Sequence, residues 1–155
     1  MRYRCLICVL SLSLFLQGCS ISYECGDMFK VDGKQSVVVQ VDDAGMPLML
    51  LSLDEAVDID ADSAARWATS LGEGWSLPTK EEMEYLKKYK SLINIKLEKK
   101  GESPFLKNQT FYWTSTDCSE SHTYACGPQG IKCYFNTNSS HLYRARAVYK
   151  RRTEN

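Results

Sequence analysis

The sequence predicts an α+β domain in which an antiparallel sheet carries two to three helices. Three observations predict it. Val37, Val38, Val39 and Val41 form a β-branched run, followed by a turn signal and a second apolar run, the pattern of a hairpin. Between residues 60 and 100 the apolar spacing lengthens to that of a helix. From Phe111 onward, aromatic and β-branched residues return in short runs broken by Gly, Pro and Asn, so strands close the chain.

In order, residues 20–35 are polar and punctuated by Gly26 and Gly33, and read as a tether running into a first strand. Val37, Val39 and Val41 share one face of that strand, with Val38 opposite. Asp42-Asp43-Ala44-Gly45 marks a turn, and residues 48–53 make the second strand. Ala64, Trp67, Ala68 and Leu71 then stand at i, i+3, i+4 and i+7, one face of a helix. Asp60 or Asp62 can cap its start and Gly72 its end. Thr79 and Glu82 have the spacing of a capping box, and Met83, Leu86 and Tyr89 form the stripe of a second helix. Leu92, Ile93 and Leu97 add further helical turns before Gly101. Residues 111–116, 124–126 and 131–135 read as strands, the last two joined through Gly127-Pro128-Gln129-Gly130. Residues 143–149 alternate in a final strand.

The chain opens as an export signal. Arg2 and Arg4 precede an apolar stretch over residues 5–16, interrupted by Ser11 and Ser13. A basic start, an apolar stretch and a small residue at the cut make a secretory signal. The stretch is shorter than the roughly 20 apolar residues that span a bilayer. Leu16-Gln17-Gly18-Cys19 resembles the lipobox of bacterial lipoproteins, in which the cysteine is acylated and becomes the N-terminus. The expected division is a lipoprotein signal at 1–18, a lipidated tether at 19–35, a globular domain at 36–150 and a basic tail at 151–155. A cut by ordinary signal peptidase and an uncleaved anchor are the alternatives. The expected location is the cell envelope, with Cys19 lipid in the membrane.

Without Arg2 and Arg4, 17 basic residues face 19 acidic ones, so there is no global basic field of the kind nucleic-acid binders carry. Acidic residues gather between Asp54 and Asp62, and basic ones at the C-terminus. After export and lipidation Cys25, Cys118, Cys126 and Cys133 remain, an even number compatible with disulfides. Cys126 and Cys133 flank the proposed turn and are the candidate pair, although spacing leaves all pairings open. No close Cys/His spacing marks a metal site, and no cofactor is expected.

Gly74-Trp75-Ser76-Leu77-Pro78-Thr79-Lys80-Glu81-Glu82-Met83 is similar to the "GWRLPTxxEL" signature of a bacterial exported domain, found at the C-terminus of the collagen-like adhesin family. Tyr112-Trp113-Thr114-Ser115-Thr116 resembles its "YWSST" strand, and Arg144-Ala145-Arg146-Ala147-Val148 its closing "xxRxV" strand. The resemblance covers roughly residues 36–150. It implies a C-type-lectin-like fold, related in architecture to sulfatase-modifying-factor domains, and an adhesion or ligand-binding role. Ser76 stands where the signature has arginine. The Glu-Pro-Asn and Gln-Pro-Asp motifs of calcium-dependent lectins, and the cysteine pair of formylglycine-generating enzymes, are missing.

Trp67, Trp75, Leu77, Pro78, Thr79 and Trp113 therefore read as fold-bearing residues, the tryptophans packing helices on the sheet. The acidic run 54–62 lacks the glycine and spacing of an EF-hand loop, and its aspartates suit a helix N-terminus. His122 beside Ser121, and His141 beside Ser140, invite a catalytic reading. No nucleophile motif accompanies either, so no enzyme is expected. The surface richest in recognition residues is the last third: Tyr124, Tyr134, Asn136, Asn138, Ser139, Ser140, His141, Tyr143 and Arg144. Within it Tyr134, Asn136, Asn138, His141, Tyr143 and Arg144 are the candidate ligand contacts, with a glycan or a surface protein as partner. A structural subunit of an envelope or fimbria-like assembly is the alternative, and an enzyme with an unrecognised site comes last.

Overall fold

A computed structural model describes residues 21–107, 109–135 and 141–151. Its elements run β1 (Met28–Val31), β2 (Lys34–Val41), β3 (Pro47–Ser52), β4 (Ala56–Ile59), α1 (Ala61–Ser70), β5 (Trp75–Ser76), α2 (Lys80–Lys88) and α3 (Lys90–Lys99). Then come β6 (Tyr112–Ser119), β7 (His122–Gly127), β8 (Gly130–Phe135), β9 (Tyr143–Ala145) and β10 (Val148–Lys150). The fold is α+β. One sheet has the order β1-β2-β3-β10-β5 and the other β4-β9-β6-β7-β8. Among the described residues all pairings are antiparallel except that of β6 with β9.

The first sheet reaches back before the valine run. β1 pairs with β2 through the two-residue turn Asp32-Gly33, with Val31 opposite Lys34. Both turn residues have positive φ, at 47° and 83°, as a hairpin turn matching strand twist requires. Further back, Gly26 N–H donates to Val38 O and Tyr23 N–H to Gly45 O, each at 2.7 Å. The polar stretch thus supplies an edge strand.

The helices start where their caps lie. Asp60 accepts from Ser63 N–H at 2.7 Å to open α1, and the buried face Ala61, Ala64 and Ala68 is small enough to lie close to Trp75 and Trp113. Thr79 and Glu82 make both bonds of the capping box on α2. α3 follows after a break at Tyr89. From it the Asn94 amide donates to Phe105 O and accepts from Phe105 N–H, which seats Phe105 in the core.

Two clusters form the interior. Val37, Val39, Met49, Leu51 and Val148 of the first sheet meet Met83 and Leu86 of α2, Ile93 and Leu97 of α3, and Tyr112 and Cys126 of the second sheet. The other cluster sets α1 against Trp75, Leu77, Trp113, Ala125, Ala145 and Ala147. The three sequence pieces quoted above meet in space. Ser115 N–H donates to Pro78 O at 2.9 Å, Lys80 N–H to Thr116 Oγ1 at 2.9 Å, and Ser76 pairs with Val148. That contact explains why Pro78 and Thr79 bear on the fold: they join α2 to β6.

Two expectations are corrected. The expected final strand is two strands in two sheets: β9 pairs with β4 and β6, while β10 pairs with β3 and β5. At the crossing, four consecutive residues from Ala145 to Val148 are buried, and strict alternation fails there. The disulfide joins Cys118 to Cys133, not Cys126 to Cys133. Ile131 stands opposite Cys126 and Tyr124 opposite Cys133, so the hairpin register gives Cys126 no cysteine partner. Strands two places apart in a flat sheet lie about 9–10 Å from each other. Register shifts in β6 let Cys118 approach Cys133 to a Cα–Cα distance of 6.3 Å across β7. Cys25 and Cys126 are unpaired, and burial pushes the Cys126 thiol up to about 11.

Candidate functional site

Where β9 runs beside β6, Arg144 N–H donates to Phe111 O at 2.9 Å, and Tyr112 stands opposite Arg144. The segments entering these two strands, Gln109-Thr110-Phe111 and Leu142-Tyr143-Arg144, therefore lie side by side. Asp58 of β4 completes a groove of about 210 Å³ between them. That volume is below the roughly 300–1,000 Å³ of drug-sized pockets, and suits one ring or one side chain.

The groove has an aromatic base. Tyr143 stacks on Phe111 with ring centres 5.1 Å apart, and meets Trp113 at 5.0 Å. Tyr134 packs edge-on to Tyr143 at 4.9 Å, and His141 lies 5.1 Å from Tyr134. Burial, then a hydrogen bond with Tyr134, holds the Tyr143 hydroxyl protonated well above the ordinary tyrosine range. Gly127 makes room for Phe111, since a Cβ there would stand 2.5 Å from the Phe111 ring. Phe111 and Tyr143 are therefore braced before any ligand arrives.

The polar rim is also preset, at some cost. Asp58 and Gln109, both lining the groove, have left-handed backbones with φ of 52° and 60°. Such conformations cost non-glycine residues energy and persist where surrounding structure imposes them, often at functional sites. Asp58 sits at the register shift between β4 and β9. Arg144 is oriented by Glu55, whose Oε2 accepts from Nη1 at 2.8 Å. Behind it Glu55 Oε1 accepts from the Tyr112 hydroxyl and lies 3.4 Å from Arg146 Nη2. Arg146 also donates to Ser52 O, Leu53 O and Ser103 O. The ion cluster thus fastens β9 to the 52–55 corner and fixes the side of the groove that Arg144 forms.

Of the candidates named from sequence, Tyr143 and Arg144 line the groove, while Tyr134 and His141 brace it from behind. Asn136, Asn138, Ser139, Ser140 and Cys19 lie outside the described residues. Tyr124 sits elsewhere, with the Lys80 ammonium 4.7 Å from its ring centre. Trp75, Leu77 and Trp113 are buried and Trp67 is partly buried against the same cluster, so the tryptophans are core. Trp113 Nε1 donates to Ile59 O at 2.7 Å, which ties α1's entry to β6. Of the acidic run, Asp60 caps α1, Glu55 joins the ion cluster and Asp58 lines the groove. Among the described residues no three His, Cys, Asp or Glu side chains gather as a metal would need. Ser119 and Ser121 hydroxyls both reach His122 Nδ1 at 2.9 Å, in the turn between β6 and β7.

Sequence reasoning missed Asp58, Gln109, Thr110, Phe111 and Leu142. These come from three separate segments that only the β4-β9-β6 order brings together. Their one local signal was Phe111 preceding the Tyr112-Trp113 strand. No protein-family model matches the chain, and no curated protein matches it.

Proposed function

We propose that the protein is a lipid-anchored, non-catalytic binding module of the cell envelope, C-type-lectin-like in architecture, whose groove at Tyr143 takes a sugar residue of a glycan. The observation that carries this reading is the pairing of a braced aromatic face, Phe111 and Tyr143, with a polar rim of Asp58, Gln109, Thr110 and Arg144. A sugar ring offers an apolar face for stacking and hydroxyls around its edge, which such a rim can bind. Protein side chains of similar shape, on a surface protein, would use the same contacts.

Two observations support the envelope location. Leu16-Gln17-Gly18-Cys19 follows a signal-like segment, and Cys118–Cys133 is a bond that persists in oxidising compartments. Among the described residues no helix is long and apolar enough to cross a membrane. Attachment on this reading comes from the Cys19 acyl chains, two or more of which hold a protein durably. An accessory subunit of an envelope assembly is the second reading. It is favoured by β8, which stands at the edge of its sheet, where a strand of another chain can pair.

The test has two arms. Intact mass of membrane-extracted protein is expected to start at Cys19 with added acyl chains, and a Cys19→Ala variant to lose both acylation and attachment. A glycan array probed with the purified protein is expected to give hits that Tyr143→Ala and Asp58→Ala abolish. Hits unchanged in both variants, or binding only to copies of itself, would remove the groove from the reading.

A further inference from the structure

We infer that the turn between β2 and β3 is a membrane-docking surface, with Ile21 and Met46 resting in the lipid interface rather than the domain swinging free on a tether. The inference rests on acylation at Cys19. Given that, its first premise is chain length. Tyr23 N–H donates to Gly45 O at 2.7 Å, so the fold takes hold four residues after the anchor. Four extended residues reach at most about 14 Å. The 42–46 turn therefore cannot leave the headgroup region by more than that.

The second premise is what this end displays. Ile21 is 68% exposed and Met46 37% exposed, two of the few large apolar side chains left in water among the described residues. The residues beside them meet: Tyr23 N–H bonds Gly45 O, and Gly45 lies against Ser22 with no room for a Cβ. Unanchored, two such side chains would be an ordinary exposed pair. Beside acyl chains, they extend the apolar contact from the anchor onto the domain.

The turn is also rigid enough to present them. Asp42 accepts from Ala44 N–H at 2.9 Å and Met46 N–H at 2.8 Å, and pairs with Arg151, whose own N–H donates to Leu48 O. The Asp42 carboxylate is held below its ordinary range by the Met46 amide first and by Arg151 next. Asp43 is exposed on the same turn, so anionic headgroups gain little here. The contact is shallow, apolar and enforced by the short tether. The partner is a lipid surface of any headgroup charge.

Docking fixes an orientation, which the experiment reads directly. In a Cys25→Ser background, Met46→Cys, Val57→Cys and Gln129→Cys are each labelled with an environment-sensitive fluorophore on the full-length protein. Each is then reconstituted in phosphatidylcholine vesicles with and without spin-labelled lipid. The expected result is a blue shift and quenching for the label at position 46, and neither at 57 or 129. An Ile21→Ser change should reduce the shift at 46 without changing the acylated mass. If mass spectrometry shows acylation but the label at 46 behaves as in water, docking is overturned and the lipoprotein reading survives. Equal shifts at all three positions would mean unoriented adsorption and also overturn it. An unacylated protein removes the premise, and the docking proposal falls with it.

Discussion

Arg146 and Glu55 face each other inside the protein at 3.4 Å, with no exposure of the arginine side chain and 9% of the glutamate. Arg146 stands where the chain leaves one sheet for the other, and its guanidinium collects three backbone carbonyls, those of Ser52, Leu53 and Ser103. Breaking such a pair leaves a buried charge, at about 3–5 kcal/mol. Arg146→Ala is therefore expected to lower stability by that order in urea unfolding. Arg144→Ala, whose side chain is a third exposed, should cost clearly less. Equal losses would mean that Arg146 is not the fastening residue.

The cysteine pattern predicts a simple peptide map. Under non-reducing digestion one linked pair, Cys118 with Cys133, is expected, with Cys25 and Cys126 as free thiols. Cys126 should resist alkylation until the protein unfolds, since it is buried and its thiol is pushed up to about 11. Cys118→Ser should cost about 3 kcal/mol for a loop of this size. A Cys126–Cys133 peptide would contradict the register of β7 on β8.

Gly127 is expected to be intolerant of a single methyl group. Gly127→Ala places a Cβ against the Phe111 ring, and overpacking of this kind costs about 1–3 kcal/mol. Displacing Phe111 also unseats Tyr143, so on the proposed function binding at the groove should weaken beyond the loss of stability. Gly130→Ala meets open space but a φ of 134°, so it should cost stability through the backbone while leaving Phe111, and with it the groove, in place.

The groove's strained rim predicts a trade between stability and binding. Gln109→Gly relieves a left-handed backbone and should raise stability by up to about 1 kcal/mol. The same change removes an amide from the groove and should lower affinity. A stabilised variant with unchanged binding would show that Gln109 takes no part in recognition.

Alkaline pH should destabilise the fold in a definite window. Tyr85 is raised from 10.0 to about 12, by burial first and then by its hydrogen bond with Tyr89. Tyr112 and Tyr143 are raised too, chiefly by burial. A raised folded value means the unfolded chain loses its protons first. Stability is therefore full below pH 10 and falls as pH rises toward 12. Tyrosinate absorbance should rise with unfolding rather than ahead of it for these three residues. A Tyr85→Phe variant should flatten part of the slope.

Local physics determined a good deal of this protein from sequence. The capping box at Thr79 and Glu82, the cap at Asp60, the stripes of α1 and α2, and the hairpin around Pro128-Gln129 all depend on near neighbours, and all stand in the structure. The α+β class follows from the same patterns. Asp32-Gly33 carries an equally local turn signal, set between polar flanks that do not alternate like strands. Tertiary structure alone decided the rest, because it depends on which strand lies beside which. Nothing near Cys133 points to Cys118, since the bond relies on a bulge in a strand two places away. Residues 143–149 alternate like one strand, yet the chain changes sheets at Arg146 because a carboxylate and three carbonyls wait there. The groove is of this second kind as well. Asp58, Phe111 and Tyr143 lie far apart along the chain and become one surface only through the order of three strands.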